Sequence, residues 1–271
     1  MSKNVIAQAR HIHCIGVGGI GVSALARKFL LEKKKVSGSD MHDSPLIHEL
    51  RKRGACIYQG HNAKHIQKDT DVVIYTKAIQ NNNPELLRAQ ELHIPCITYS
   101  QALGIMSDDM YTIAIAGSHG KTTTTGLIAW GLIQAKKDPT VIVGSLLTDI
   151  PTNFIAGKSK YFVVEACEYG KSFLDLQPKI AVITNIDNDH LDYYKTKENL
   201  IRAFITFAQK VPQDGYLITN LGDKDCARVA RHVKCRVIDY RKGIIPAETK
   251  LLNRIHTIIS SNILVFICLY D

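Results

Sequence analysis

Two apolar runs, HIHCIGV at 11–17 and YTIAIA at 111–116, each end in a glycine-containing loop and each lead into a helical pattern. Near-continuous apolar strands of this kind are buried on both faces, as in parallel sheets covered by helices. Strands and helices alternate around them. After the first run, VSALARKFLLEKK carries Val22, Leu25, Ala26, Phe29 and Leu30 at helical spacing, and a strand in KVSGSD ends at Asp40. A helix from Pro45 to Arg53, strands in ACIYQ and DVVIYT, a helix from Pro84 to Leu92 and a strand in PCITY continue the series. The alternation predicts an α/β fold with a parallel, doubly wound sheet.

The polar, turn-rich GIMSDDM closes this series and places a boundary near residue 107; a second series opens at Tyr111. It holds a helix from Thr122 to Gln134, strands in TVIVG, YFVVEA and KIAVITN, a helix in KENLIRAFITFAQKV and a strand in GYLITN. The chain thus reads as a first domain over 1–107, a second over 108–243, and a tail over 244–271 in which the alternation cannot be extended. Within that tail NILVFICLY is β-prone, uncharged and free of proline, an aggregation signature wherever it is exposed.

Composition narrows the class. The chain has 271 residues, 45% hydrophobic and 22% charged, as a soluble globular protein of two ordinary domains would. Its seven cysteines are scattered and never spaced C-x-x-C, so neither a disulfide framework nor a cysteine zinc site is indicated, and a reducing cytoplasm fits. The N-terminus lacks the apolar core of a secretion signal, and the longest uncharged apolar run, Thr257 to Tyr270, is shorter than the roughly 20 residues of a membrane helix. The net charge of +9 is spread along the chain, with EKKK its densest cluster. No arm or stripe for nucleic acid results, whereas a positive field suits anionic nucleotides.

Two loops carry phosphate-binding chemistry. In GVGGIG, Gly16, Gly18 and Gly21 fit G-x-G-x-x-G between a strand and a helix, with Gly19 beside them and Asp40 ending the next strand. Gly16 permits the tight turn, Gly18 lets a phosphate approach the backbone, and Gly21 lets helix and strand pack closely. Alone, this pattern points to NAD, with Asp40 accepting from a ribose hydroxyl. In AGSHGKT, Gly117, Ser118, His119, Gly120, Lys121, Thr122 and Thr123 offer amides, an ammonium and hydroxyls to a triphosphate and its magnesium, although Ile115 stands where the usual phosphate-loop pattern wants glycine. Glu165 ends the strand in YFVVEA, and Asn185, Asp189, His190 and Asp192 follow the strand in KIAVITN. The carboxyl ends of parallel strands share one sheet edge, which is where ligands bind. Bland roles compete: Thr123, Thr124 and Thr125 as helix N-terminal residues, Asp189 or Asp192 as turn caps or orienters of His190, His11 and His13 as structural strand residues, and His61 with His65 as an exposed pair.

GVGGIGVSALA, VSGSD, AGSHGKTTTT, VEACEYGKSFLDLQP and TNIDNDHLDYY, in this order, resemble the Mur ligases of peptidoglycan synthesis over about residues 11–240. The resemblance implies a Rossmann-like first domain holding the diphosphate of a UDP-sugar and not NAD, and an incomplete P-loop α/β domain binding ATP with Mg2+. GHNAKH and YTKAIQNNNPE resemble segments bordering the sugar nucleotide, which carries His61, Thr76 and Asp40 to that site. Lys121 is then implied to neutralise the β and γ phosphates, Thr122 with Glu165 to ligate one magnesium, and His190 to hold a second metal; Asn185 is implied to lie at the nucleotide.

The implied reaction joins L-alanine to the carboxylate of UDP-N-acetylmuramate through an acyl phosphate. A tripeptide-adding relative, a non-catalytic sugar-nucleotide binder and an NAD-dependent oxidoreductase stay open as alternatives. The resemblance also implies further sheet strands and a third domain. The tail matches neither, as a frameshift or premature stop would leave it, so the expectation is a truncated ligase that does not complete the reaction alone.

Overall fold

The structure is a computed structural model that describes residues 5–144 and 153–242. It divides into two compact units: the described residues up to Met110 together with Asp138–Lys160, and Tyr111–Lys137 together with those from Tyr161 on. The tail at 244–271, with NILVFICLY, lies outside the described residues.

In the first unit, α1 (Val5–Gln8) leads into β1 (His11–Ile15), α2 (Ile20–Leu31), β2 (Lys35–Asp40), α3 (Pro45–Lys52), β3 (Cys56–Gln59), β4 (Val72–Tyr75), α4 (Pro84–Glu91), β5 (Cys96–Thr98) and α5 (Tyr99–Asp108). The strands pair in parallel in the order β3-β2-β1-β4-β5. Every residue of β1 is buried, its two histidines, His11 and His13, included. Ile12 sits level with Val36 on one side and Val72 on the other. Strand order reverses at β1, so the carboxyl ends of β1, β2 and β4 frame the crevice where such sheets bind ligands.

The second unit is built from β6 (Tyr111–Ala116), α6 (Lys121–Gln134), β9 (Tyr161–Glu165), β10 (Ile180–Ile183), α7 (Leu191–Tyr194), α8 (Lys197–Ala208), β11 (Tyr216–Thr219), α9 (Lys224–Ala230) and β12 (Arg236–Asp239), while β7 (Thr140–Ile142) and β8 (Phe154–Ile155) between them pair antiparallel within the segment 138–160. Its parallel strands run in the order β12-β11-β10-β6-β9. Phe173 stacks on Phe207 at 4.8 Å and meets Phe204 edge-on at 5.2 Å, closing the core under α8. Burying aromatic rings of this size contributes about 1.5–3 kcal/mol each.

Three elements depart from the sequence reading. GIMSDDM was expected as a turn, yet most of it belongs to α5, because Thr98 and Gln101 form a capping box and Ala102, Leu103 and Met106 turn inward. The helix α9, capped by Asp223, and the strand β12 extend the second unit beyond the strand in GYLITN, as elements that the sequence reading of 108–243 did not name. Among the described residues no helix is long and apolar enough to cross a membrane.

Candidate functional site

Each unit places a glycine loop at the carboxyl edge of its sheet. In the first, the chain leaves β1 through Gly16, whose φ of +76° suits glycine, and a Cβ there would meet Thr76 Cγ2 at 2.6 Å. The carbonyl of Ser39 accepts the Gly16 amide at 2.8 Å and the Val17 amide at 3.1 Å, and Asp40 Oδ2 accepts the Gly18 amide at 2.8 Å. Asp40 Oδ1 accepts the His42 amide as well, at 3.1 Å. A Cβ on Gly21 would lie 2.5 Å from the Tyr99 ring, so only glycine lets α2 start this close. The loop glycines, Asp40, Thr76 and His61 thereby converge at the ends of β1, β2, β3 and β4.

The histidines correct one expectation. His61 and His65 are not an exposed pair, since their side chains are only 14% and 16% exposed and both reach the carboxylate of Glu85. Glu85, at the start of α4, is fully buried. It accepts from Ser39 Oγ at 2.5 Å, from His65 Nδ1 at 2.6 Å, from the Asn62 amide at 3.2 Å and from His13 Nε2 at 3.4 Å. Burial alone would raise its pKa, but the hydrogen bonds from His13, Ser39 and His65 outweigh that effect and hold the carboxyl at about 2. Ser39 Oγ also meets His61 Nδ1 at 2.9 Å, and Ser37 Oγ bridges His11 and His13 at 2.8 Å each. His11 and His13 are structural, as their alternation in a strand suggests. Glu85 escaped sequence reading because PELLRAQE looks like an ordinary amphipathic surface helix.

In the second unit the missing glycine of the usual phosphate-loop pattern is replaced by Gly117. Its φ is +136°, and a Cβ there would fall 2.0 Å from Thr184 Oγ1. Gly120, at φ +78°, opens α6. Asn185 braces the loop rather than standing apart from it: its side chain accepts the His119 amide at 2.9 Å and donates to the His119 carbonyl at 3.1 Å, while its carbonyl accepts the Ser118 amide at 3.1 Å. Thr122 Oγ1 donates to Glu165 Oε2 at 2.9 Å. Thr124 and Thr125 are buried in the first turns of α6, and Thr125 Oγ1 donates to the Lys121 carbonyl at 2.8 Å.

Lys121 folds back on the loop, donating to the Gly117 carbonyl at 2.6 Å, the Ser118 carbonyl at 3.2 Å and Glu168 Oε1 at 2.9 Å. In this unit, Glu168 is the residue that sequence reading missed. It is fully buried, lies 3.3 Å from His190 Nε2 through the same oxygen, and its other oxygen has no hydrogen-bond partner among the described residues. His190, with φ +55°, has its amide capped by Asp189 Oδ1 at 2.8 Å. One ligand atom each from Glu168, Asp189 and His190 lie within 4.8 Å of one another. An orphaned buried carboxylate oxygen in an oxygen-rich cluster fits a divalent cation, with Thr122 at the start of α6 and Glu165 at the end of β9 a second oxygen pair; imidazole is an uncommon partner for magnesium. Glu168 stands in CEYG just past the end of β9, and its only signal was a second acid in that stretch.

Two family profiles match the chain, the Mur ligase family catalytic domain over residues 11–111 and the Mur ligase middle domain over 115–251. The UDP-N-acetylmuramate–L-alanine ligase of Clostridium acetobutylicum is 47% identical over 239 residues, which are 88% of this chain and 52% of that protein. The enzyme of the same name from Alkaliphilus metalliredigens is 47% identical over 234 residues, 86% of this chain and 51% of that protein. The chain spans about half the length of the curated relatives it matches. Among solved structures, the UDP-N-acetylmuramate-alanine ligase MurC of Thermotoga maritima aligns with a TM-score of 0.72 at 29% identity, covering 81% of this chain and 51% of that one. A UDP-N-acetylmuramate:L-alanyl-gamma-D-glutamyl-meso-diaminopimelate ligase from Neisseria meningitides shares the fold, with a TM-score of 0.78 at 24% identity over 84% of this chain and 76% of that one. The paired glycine loops and the profiles that cover them agree, and this chain belongs to the Mur ligase family.

Proposed function

We propose that this chain binds UDP-N-acetylmuramate and ATP for a cytoplasmic ligase reaction that joins L-alanine to the sugar's lactyl carboxylate. The observation that carries the reading is the convergence of Lys121, Thr122, Glu165, Glu168 and His190 on one phosphate loop. In the reaction, the carboxylate oxygen attacks the γ-phosphorus, ADP leaves, and the alanine amine then displaces phosphate from the acyl phosphate. Such phosphoryl transfer depends on positioning and charge stabilisation more than on covalent help from the protein.

Lys121 exchanges its loop carbonyls for the β and γ phosphates, and the amides of Gly120 and Thr123 face the same anion, while those of Ser118 and His119 stay with Asn185. Asn185 keeps the loop open by holding both polar groups of His119. Thr122 and Glu165 would hold one Mg2+, and His190 with Glu168 and Asp189 a second. Bound there, magnesium supplies charge neutralisation for the transferred phosphoryl group. In the first unit, the amides of the Gly16–Gly21 loop receive the diphosphate, with His61 and Thr76 at its border and Asp40 bracing Gly18.

Calorimetric titration with UDP-N-acetylmuramate, with NAD as the competing ligand, tests the first site. Binding of the sugar nucleotide undisturbed by NAD is expected; binding of NAD alone sinks the proposal. A titration with Mg-ATP tests the second site, and Lys121→Ala should lose at least tenfold in affinity. Phosphate release on mixing all three substrates separates a complete ligase from a chain that only binds, and a tripeptide offered in place of alanine separates the two amines.

A further inference from the structure

Ser39 joins the glycine loop of the first unit to the buried carboxylate of Glu85. Its carbonyl holds the Gly16 and Val17 amides, and its hydroxyl lies 2.5 Å from Glu85 Oε2 and 2.9 Å from His61 Nδ1. A hydroxyl has one proton to give, and an ionised carboxylate can only accept. The proton of Ser39 therefore goes to Glu85, and Ser39 Oγ accepts from His61 Nδ1–H. A neutral His61 then has its hydrogen on Nδ1 and a bare lone pair on Nε2. The ionisable groups around this arrangement are Glu85 from α4, 3.7 Å from His61 Nδ1, His13 from β1, and His65 on the turn after β3, stacked on Tyr58 at 4.1 Å. All three histidines are served by one carboxylate.

We infer that Glu85, acting through Ser39, locks His61 in the tautomer whose outer nitrogen is bare, so that the diphosphate of a nucleoside-diphosphate sugar binds together with one proton taken from solvent onto His61 Nε2. This rests on the reading of the glycine loop as a sugar-nucleotide site. A bare imidazole nitrogen repels a phosphate oxygen, whereas an imidazolium N–H makes a charge-assisted bond to it. The opposite tautomer would donate to phosphate with no proton taken up, so the uptake is the signature of the Glu85–Ser39 pair. A diphosphate diester has no group that titrates near neutrality, so the protein must be the proton acceptor. Glu85 is a positioning residue: it touches His61 through Ser39 and need not touch the ligand.

The test is calorimetry of the full chain with UDP-N-acetylmuramate between about pH 6 and about pH 8.5, in buffers of different ionisation enthalpy, above and below the usual imidazole range. The expected result is close to one proton taken up per ligand at the upper end, with Kd weakening by up to about tenfold per pH unit there. Glu85→Gln, whose amide can donate to Ser39 and so reverse the chain of hydrogen bonds, should bind with the uptake lost and the pH profile flattened. His61→Gln should bind more weakly and without uptake. Long-range nitrogen NMR of the unmodified chain, which needs no variant to fold, should find the His61 hydrogen on Nδ1. Tight binding with no proton exchange, or a His61 hydrogen on Nε2, overturns the inference and leaves the sugar-nucleotide reading standing. Absence of binding at every pH takes down that reading and the inference with it.

Discussion

Lys121 shares its ammonium among two loop carbonyls and the fully buried carboxylate of Glu168, and this sets what its loss would do. Removing one partner of a buried ion pair strands the other charge, at a cost of about 3 kcal/mol. Lys121→Ala should therefore lower the second unit's stability by about that amount in urea melts, besides weakening ATP binding. Adding Glu168→Gln to it should restore most of the loss, since the stranded charge is then gone. If the double variant is no more stable than the single one, Glu168 is not the partner that matters. Lys121 was legible from its glycine neighbours alone, because a phosphate loop is written in consecutive residues. Glu168 was not, because its importance comes from burial beside two residues distant in sequence.

At the level of elements, the glycines mark where a loop must squeeze between a strand end and a helix start. Gly117→Ala combines a left-handed backbone with a Cβ driven onto Thr184, and should cost about 2–4 kcal/mol, read as a lowered urea midpoint with the slope unchanged. Both glycine loops were readable for that reason. The helix α5 was not, because its polar GIMSD stretch hides a start signal, the Thr98–Gln101 capping box, that lies upstream of it. The four elements gathered on Glu85 give the first unit a defined acid limit. With its carboxyl held at about 2 instead of the ordinary 4.5, the stabilisation it provides is complete above about pH 4.5 and fades as pH falls from there towards 2. A difference of that size is worth up to about 3 kcal/mol. Acid titration of stability should accordingly show a steep limb in this window for the unmodified chain and a shallower one for Glu85→Gln.

For the whole molecule, the alternation of strands and helices was enough to predict two α/β units in series, since each apolar run in a parallel sheet announces itself locally. The way the chain is shared between the units was not legible, because the assignment of 138–160 to the first depends on contacts far apart in sequence. Hydrogen-exchange mass spectrometry offers a test at this scale. UDP-N-acetylmuramate should slow exchange around residues 16–21 and 60–66, and Mg-ATP around 117–124, each leaving the other stretch unaltered. Protection of the same peptides by both ligands would contradict two separate sites.

The returning segment carries Asn153, fully buried, whose side chain donates to the Ile20 carbonyl and to Ser23 and accepts from Arg27 at 2.9 Å. The start of the helix behind the glycine loop is thus closed by a residue that the ribosome makes more than a hundred positions later. A gene cut after codon 110 would encode the five parallel strands and the loop, yet take from Arg27 its bond to Asn153 and leave the first turn of that helix without its latch. Modular exchange of the first unit between homologues would therefore need a two-piece graft, with residue 110 and residue 138 treated as a single splice.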